Sequence, residues 1–128
     1  MAKRSAERTD FLANVLVTAV EGGVGYWSYA RRYEWEEDDQ DNLTSASVEL
    51  AVIGDADDAR EDGRKITWMP VDLDTIARGV RRILAKGFSS VRFESITFGS
   101  KENDAGAIDS DDADLIVQVG LFGEAVYG

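Results

Sequence analysis

Residues 21–39 read EGGVGYWSYARRYEWEEDD, and the organisation of the chain turns on how this stretch is parsed. Before it, Phe11, Leu12, Val15, Leu16, Ala19 and Val20 follow the spacing of an amphipathic helix, predicted from Ser5 to Glu21. Gly22 and Gly23 stop that period, as a left-handed glycine beyond a helix C-terminus does. From Gly25 to Trp35 the spacing becomes an alternation. A long strand is predicted there, with Trp27, Tyr29, Arg31, Tyr33 and Trp35 on one face and Tyr26, Ser28, Ala30, Arg32 and Glu34 on the other. The polar EEDDQDN at 36–42 then forms a loop.

Working outward, ASVELAVIG at 46–54 alternates Val48, Leu50 and Val52 like a second strand. DADDAREDG, 55–63, reads as an acidic turn, and RKITWMPV, 64–71, as a third strand whose terminal proline removes an amide where it costs least. In VDLDTIARGVRRILAKG, Leu73, Ile76, Ala77, Val80, Ile83 and Leu84 make a helical stripe. Asp72 or Asp74 caps its start, Arg82 and Lys86 complement its C-terminal dipole, and Gly87 ends it. FSSVRFESITFG, 88–99, has β character and suggests a fourth, edge strand. The closing DSDDADLIVQVGLFGEAVYG opens on acids suited to a helix N-terminus; LIVQVGLF fits a buried strand or a helix, and the helix is favoured. The expected fold is a single α+β domain over residues 1–128, a three- to four-stranded antiparallel sheet with about three helices packed on one face.

Composition narrows the function. There is no cysteine and no histidine, so thiolate nucleophiles, disulfides, thiolate metal sites and the commonest general base are excluded. Carboxylates could still form an acid–base pair, but the isolated ones, Glu21, Glu34, Glu94 and Glu124, show no spacing that singles out two. A non-enzymatic role without cofactor or metal is expected. The net charge of −11 opposes phosphate-backbone binding and is unevenly spread. Residues 34–62 hold twelve acids and one base, and 102–114 six acids and no base, whereas 63–101 carry eight bases against three acids. No apolar run approaches the roughly 20 residues of a membrane span, and the N-terminus lacks the apolar core of a signal peptide, so a cytoplasmic protein is expected.

Three motifs fall to plainer readings. GGVGYW lacks the third glycine of a dinucleotide fingerprint, which Ser28 replaces, and it follows a helix where the fingerprint follows a strand. DADDAR and DSDDAD begin like calcium loops but place Ala59 and Ala113 at the fifth position and a charged residue at the sixth. Arg78, Arg81, Arg82 and Lys86 give a basic helix with Arg78 and Arg82 on an exposed face, a weak signal for nucleic acid on so acidic a chain.

RTDFLANVLVTAVEGGVGYWSYARRYEW, VDLDTIARGVRRIL and DADLIVQVGLFGEAVYG together resemble small accessory proteins of tailed bacteriophages, particularly those of actinobacteria. The resemblance carries no catalytic residue with it. It implies a phage protein made in the host bacterial cytoplasm. Two classes of binding follow from the residues. A basic host or phage protein would meet an anionic surface offered by the acidic stretches 34–62 and 102–114, with Asp38, Asp39 and Asp41 beside Trp35. Alternatively, a small nucleotide-type ligand would stack and pair on Tyr26, Trp27, Arg31 and Arg32. Self-association into a homo-oligomer is compatible with both.

Overall fold

The computed structural model describes residues 4–86 and 91–128. Elements follow in the order α1 (Ala6–Gly22), β1 (Ser28–Glu37), β2 (Leu43–Val52), α2 (Ile53–Glu61), β3 (Met69–Val71), α3 (Leu73–Lys86), α4 (Val91–Glu102), a short 3-10 turn (Ala105–Ala107) and α5 (Ser110–Phe122). The sheet is antiparallel in the order β1-β2-β3, so the α+β class and the three-stranded meander are as expected, with five α-helices among the described residues in place of about three.

The two additional helices lie where turn and strand were expected. DADDAREDG contributes most of α2, whose Ala56 and Ala59 are 1% and 2% exposed. Two alanines three residues apart are enough to seat one helical face, and the surrounding acids hide that period in the sequence. FSSVRFESITFG belongs largely to α4. Phe93, Ile96, Gly99 and Ser100 fall on its inward side, and Ile108 packs so closely on Gly99 that an added Cβ would stand 2.8 Å from its Cδ1. Tertiary packing here overrides the β propensity of the aromatic and β-branched residues. Residues 88–90 of that expected strand, and Gly87 as the expected end of α3, lie outside the described residues. The third strand shrinks to Met69–Val71, with Pro70 opposite Glu49.

Helix α5 resolves the ambiguity of LIVQVGLF. It is buried on nearly every side, packed against α1 and α3, with Ala113, Ile116, Val117 and Val119 at most 1% exposed. A helix enclosed all round carries no amphipathic period, which is why its sequence also reads as a core strand. Asp109 and Asp112 close a reciprocal capping box at its start. Asp72 caps α3 in the same way through Thr75, while Asp74 pairs with Arg4 at 2.6 Å.

The helix stop at 22–23 is present but works differently from expectation. Gly23 has φ −112° and ψ −47°, a right-handed conformation. What demands glycine is space, since a Cβ there would meet the Ser110 carbonyl oxygen at 2.6 Å.

The single-face reading of β1 is overturned. Register runs from Ser28↔Val52 to Arg31↔Glu49 and resumes at Glu34↔Ser47, so β1 advances three residues while β2 advances two. The extra residue is a β-bulge, and Arg32 takes it up at φ 52°. One inserted residue reverses which side of the sheet every later side chain faces. Tyr29 and Arg31 therefore sit opposite Ala51 and Glu49 on the outer face, towards α2 and the loop preceding β3. There the Tyr29 hydroxyl donates to Asp57 at 2.9 Å beneath Arg60, and the Arg31 guanidinium lies 4.3 Å from the centre of the Trp68 ring. Beyond the bulge, Tyr33 turns to the helix side and donates to Glu21 on α1 at 2.8 Å, and Trp35 stands opposite Ala46. Trp27 precedes the strand and enters the core, 4% exposed. Helices consequently occupy both faces, α2 on the outer one and the rest on the other.

Candidate functional site

The eight residues singled out by sequence separate into three places. Tyr26 and Trp27 join a polar network at α5, Arg31 and Arg32 lie over Glu49, and Trp35, Asp38, Asp39 and Asp41 belong to the β1–β2 hairpin.

The network is centred on Asp114, which sequence reasoning passed over. Its Oδ1 accepts from Trp27 Nε1 at 2.8 Å and from Gln118 Nε2 at 2.9 Å, and its Oδ2 accepts from the Tyr26 hydroxyl at 2.7 Å. Gln118, 1% exposed, accepts at its Oε1 from the backbone amides of Val126 and Tyr127, both at 2.8 Å. Tyr127 stacks on Trp27 with centroids 5.0 Å apart and planes 8° apart. A pair of polar residues four apart inside DLIVQV was the available signal, because buried polar groups persist only where they are hydrogen-bonded. The network straps residues 124–128 over Trp27, and every participant has its partner within the chain.

Beside it lies an open cleft of about 380 Å³ lined by Tyr26, Arg92, Asp111, Asp114, Gln118 and Tyr127, among others. Its cation is already engaged. Arg92 reaches Asp109 and Asp112 at 3.3 Å and Asp111 at 3.1 Å, so three of the four aspartates of DSDDAD converge on a guanidinium. Burial pushes the Asp112 carboxyl up, and the bond from Arg92 opposes that shift. Among the described residues no group of three or more acidic side chains is arranged to hold a metal ion.

The Tyr26 phenol is pushed up to about 12, first by partial desolvation of the hydroxyl and then by donation to Asp114. Tyr33 is raised by desolvation and by Glu21, and Tyr29 by its bond to Asp57. A folded pKa above the ordinary 10 means that the neutral phenol stabilises the fold fully below pH 10, and that this contribution disappears as pH rises towards about 12. Thermal stability is therefore expected to hold to about pH 10 and then fall, with tyrosinate absorbance rising later than in the unfolded chain. In Tyr26→Phe one late ionisation should be missing from the absorbance titration.

Two of the four basic residues of α3 are occupied as well, while Arg81 and Lys86 stay exposed. Arg78 donates through Nε to Gly120 O at 2.9 Å and Arg82 through Nη1 to Val119 O at 3.0 Å. Both are partly buried rather than presented to solvent, and they supply the positive charge that the last turn of α5 lacks. Arg31 is likewise committed, bonded to Glu49 at 2.7 Å, with Arg32 at 3.6 Å from the same carboxylate.

What stays open to solvent is the hairpin. Residues 34–41 are all exposed, Trp35 to 46%, and among the described residues none of Glu34, Glu36, Glu37, Asp38, Asp39 and Asp41 enters an ion pair. Asp38 holds the turn, its Oδ1 accepting from the amides of Gln40 and Asn42, and Asp41 occupies φ 64°. In the other acidic stretch three of the six acids are drawn onto Arg92 and Asp114 is buried, although Glu102, Asp104, Asp109 and Asp111 remain exposed. Comparisons with protein-family models, curated proteins and solved structures returned no match to the chain. Among the described residues, no helix is long and apolar enough to cross a membrane.

Proposed function

We propose that this is a non-enzymatic accessory protein, of the tailed-phage kind its sequence resembles, that acts in the host cytoplasm by binding a basic protein through the β1–β2 hairpin. The observation that carries the reading is the exposed run from Glu34 to Asp41, whose carboxylates have no cationic partner among the described residues while most other charges near them are paired. Such a surface speeds encounter with a positive partner and repels nucleic acid. A nucleotide-type ligand finds less support. Arg31 and Arg32 are turned to Glu49, Trp27 lies under Tyr127, and the cation of the cleft is held by three carboxylates.

Association with polylysine, followed by stopped flow at low and high ionic strength, tests the proposal. Reversing Glu34, Glu36 and Asp39 together to lysine should slow association by about tenfold at low salt and flatten its salt dependence. Asp38 and Asp41 are left in place because the first closes the turn and the second adopts a left-handed backbone. An association rate indifferent to both salt and charge reversal would overturn the proposal.

A further inference from the structure

Among the described residues, strand β1 lies at one end of the sheet and pairs only with β2. Antiparallel pairs alternate between hydrogen-bonded and non-bonded, and Ile53 N donating to Trp27 O at 3.0 Å fixes the phase. The bonded pairs are then Tyr29 with Ala51 and Arg31 with Glu49. Ala30, opposite Leu50, directs its N–H and C=O away from β2 to the free edge. Among the described residues the backbone bond on that edge lies at its start, where Ser28 N donates to Val24 O at 3.1 Å, and none reaches Ala30.

The edge also projects past the helices that cover the rest of the sheet. Ala30 and Trp35 share the helix-side face with the buried Leu50 and Ala46, yet both are exposed, Trp35 to 46%. The result is a ledge with open backbone groups along its rim and an indole on its floor. Unpaired edges are ordinarily guarded against other strands by lysine, proline, bulges or inward-pointing charge, and the bulge at Arg32 limits the regular free run to the residues before it. Here the charge beyond the bulge is of one sign, from Glu34, Glu36 and Glu37 into the turn acids. It repels a second copy of this chain and attracts a cationic strand.

We infer that β1 takes up an extended lysine- or arginine-rich segment of the partner by strand addition, its backbone pairing with the Ala30 edge and its basic side chains lying along Glu34–Glu37 and over Trp35. This rests on the proposed binding role of the hairpin and specifies the form of the partner. Main-chain bonds supply affinity in this mode, alternate side chains supply specificity, and the Trp35 ring offers a face to a cation.

The test uses the full chain and two synthetic peptides of equal length and charge, one alternating lysine with threonine and the other lysine with proline. Proline has no amide hydrogen and cannot complete a ladder. The threonine peptide should bind at least about tenfold more tightly, the equivalent of about one or two net backbone hydrogen bonds, and should slow amide exchange at Ala30. Ala30→Pro removes an amide that β2 does not use, and should bring the two affinities together without unfolding the chain. Equal, salt-sensitive binding of both peptides to the unaltered protein, with Ala30 exchange unchanged, would overturn strand addition and leave the charge-based function standing. Failure of both peptides to bind at low salt would overturn both, and a dimer formed through β1 would replace the basic segment with a second copy.

Discussion

Gly79→Ala is expected to destabilise the protein by about 3 kcal/mol, lowering Tm by roughly 10 °C, although glycine to alanine inside a helix ordinarily stabilises by up to about 1 kcal/mol. The sign inverts because of where α3 crosses α5. A Cβ on Gly79 would stand 2.1 Å from the Ile116 carbonyl oxygen, and reciprocally a Cβ on Gly120 would stand 2.3 Å from that of Thr75. Both obstacles are backbone, so no side-chain rotation relieves them, and the helices must separate. Separation would also pull Arg78 and Arg82 from the Gly120 and Val119 carbonyls. Gly54→Ala is the control, since it also lies in a helix but a Cβ there meets nothing within 4 Å. Thermal denaturation of the two variants should shift in opposite directions, and a neutral Gly79→Ala would show that the crossing is looser than described.

Asp114→Ala should cost about 3 kcal/mol, whereas Asp114→Asn should cost about 1 kcal/mol. Alanine strands the Trp27 Nε1–H, which is buried and bonds only Asp114, and removes one acceptor of Gln118 Nε2. Leaving a buried donor unpaired costs the whole of its desolvation. Asparagine can keep its carbonyl oxygen at the Oδ1 position, still accepting from Trp27 and Gln118, and place its amide at Oδ2, where the Tyr26 hydroxyl turns to accept. Urea unfolding of the two variants gives the difference. Tryptophan emission should shift in the alanine variant, because the stacking of Tyr127 on Trp27 depends on the strap that Gln118 and Asp114 hold. Equal losses for alanine and asparagine would show that charge, rather than hydrogen-bond complementarity, organises the network.

The legible parts of the chain were those whose period is strong and one-sided. Helix α1, helix α3 and the pairing of β1 with β2 follow from spacing alone. Helices α2 and α4 escaped because each buries only a narrow stripe, in α2 two alanines among acids and in α4 side chains of β-forming type. Of the candidate site, the acidity of the hairpin could be read directly. Its availability could not, because DSDDAD is equally acidic and proves to be gathered on Arg92. Tyr29 and Arg31 were wrongly grouped with Tyr33 and Trp35 for a local reason, as no residue type marks the bulge at Arg32.

By itself the sequence determined an α+β chain with an antiparallel meander, a net charge of −11 and no histidine or cysteine chemistry, since composition and period are properties of single segments. Only the tertiary structure decided which arginines are spent on carbonyls and carboxylates, which acids remain for a partner, and that residues 21–39 divide between core, outer face and free edge. Those outcomes depend on groups brought together from distant positions, such as Tyr26 with Asp114 or Arg78 with Gly120, and on one inserted residue that turns half a strand over.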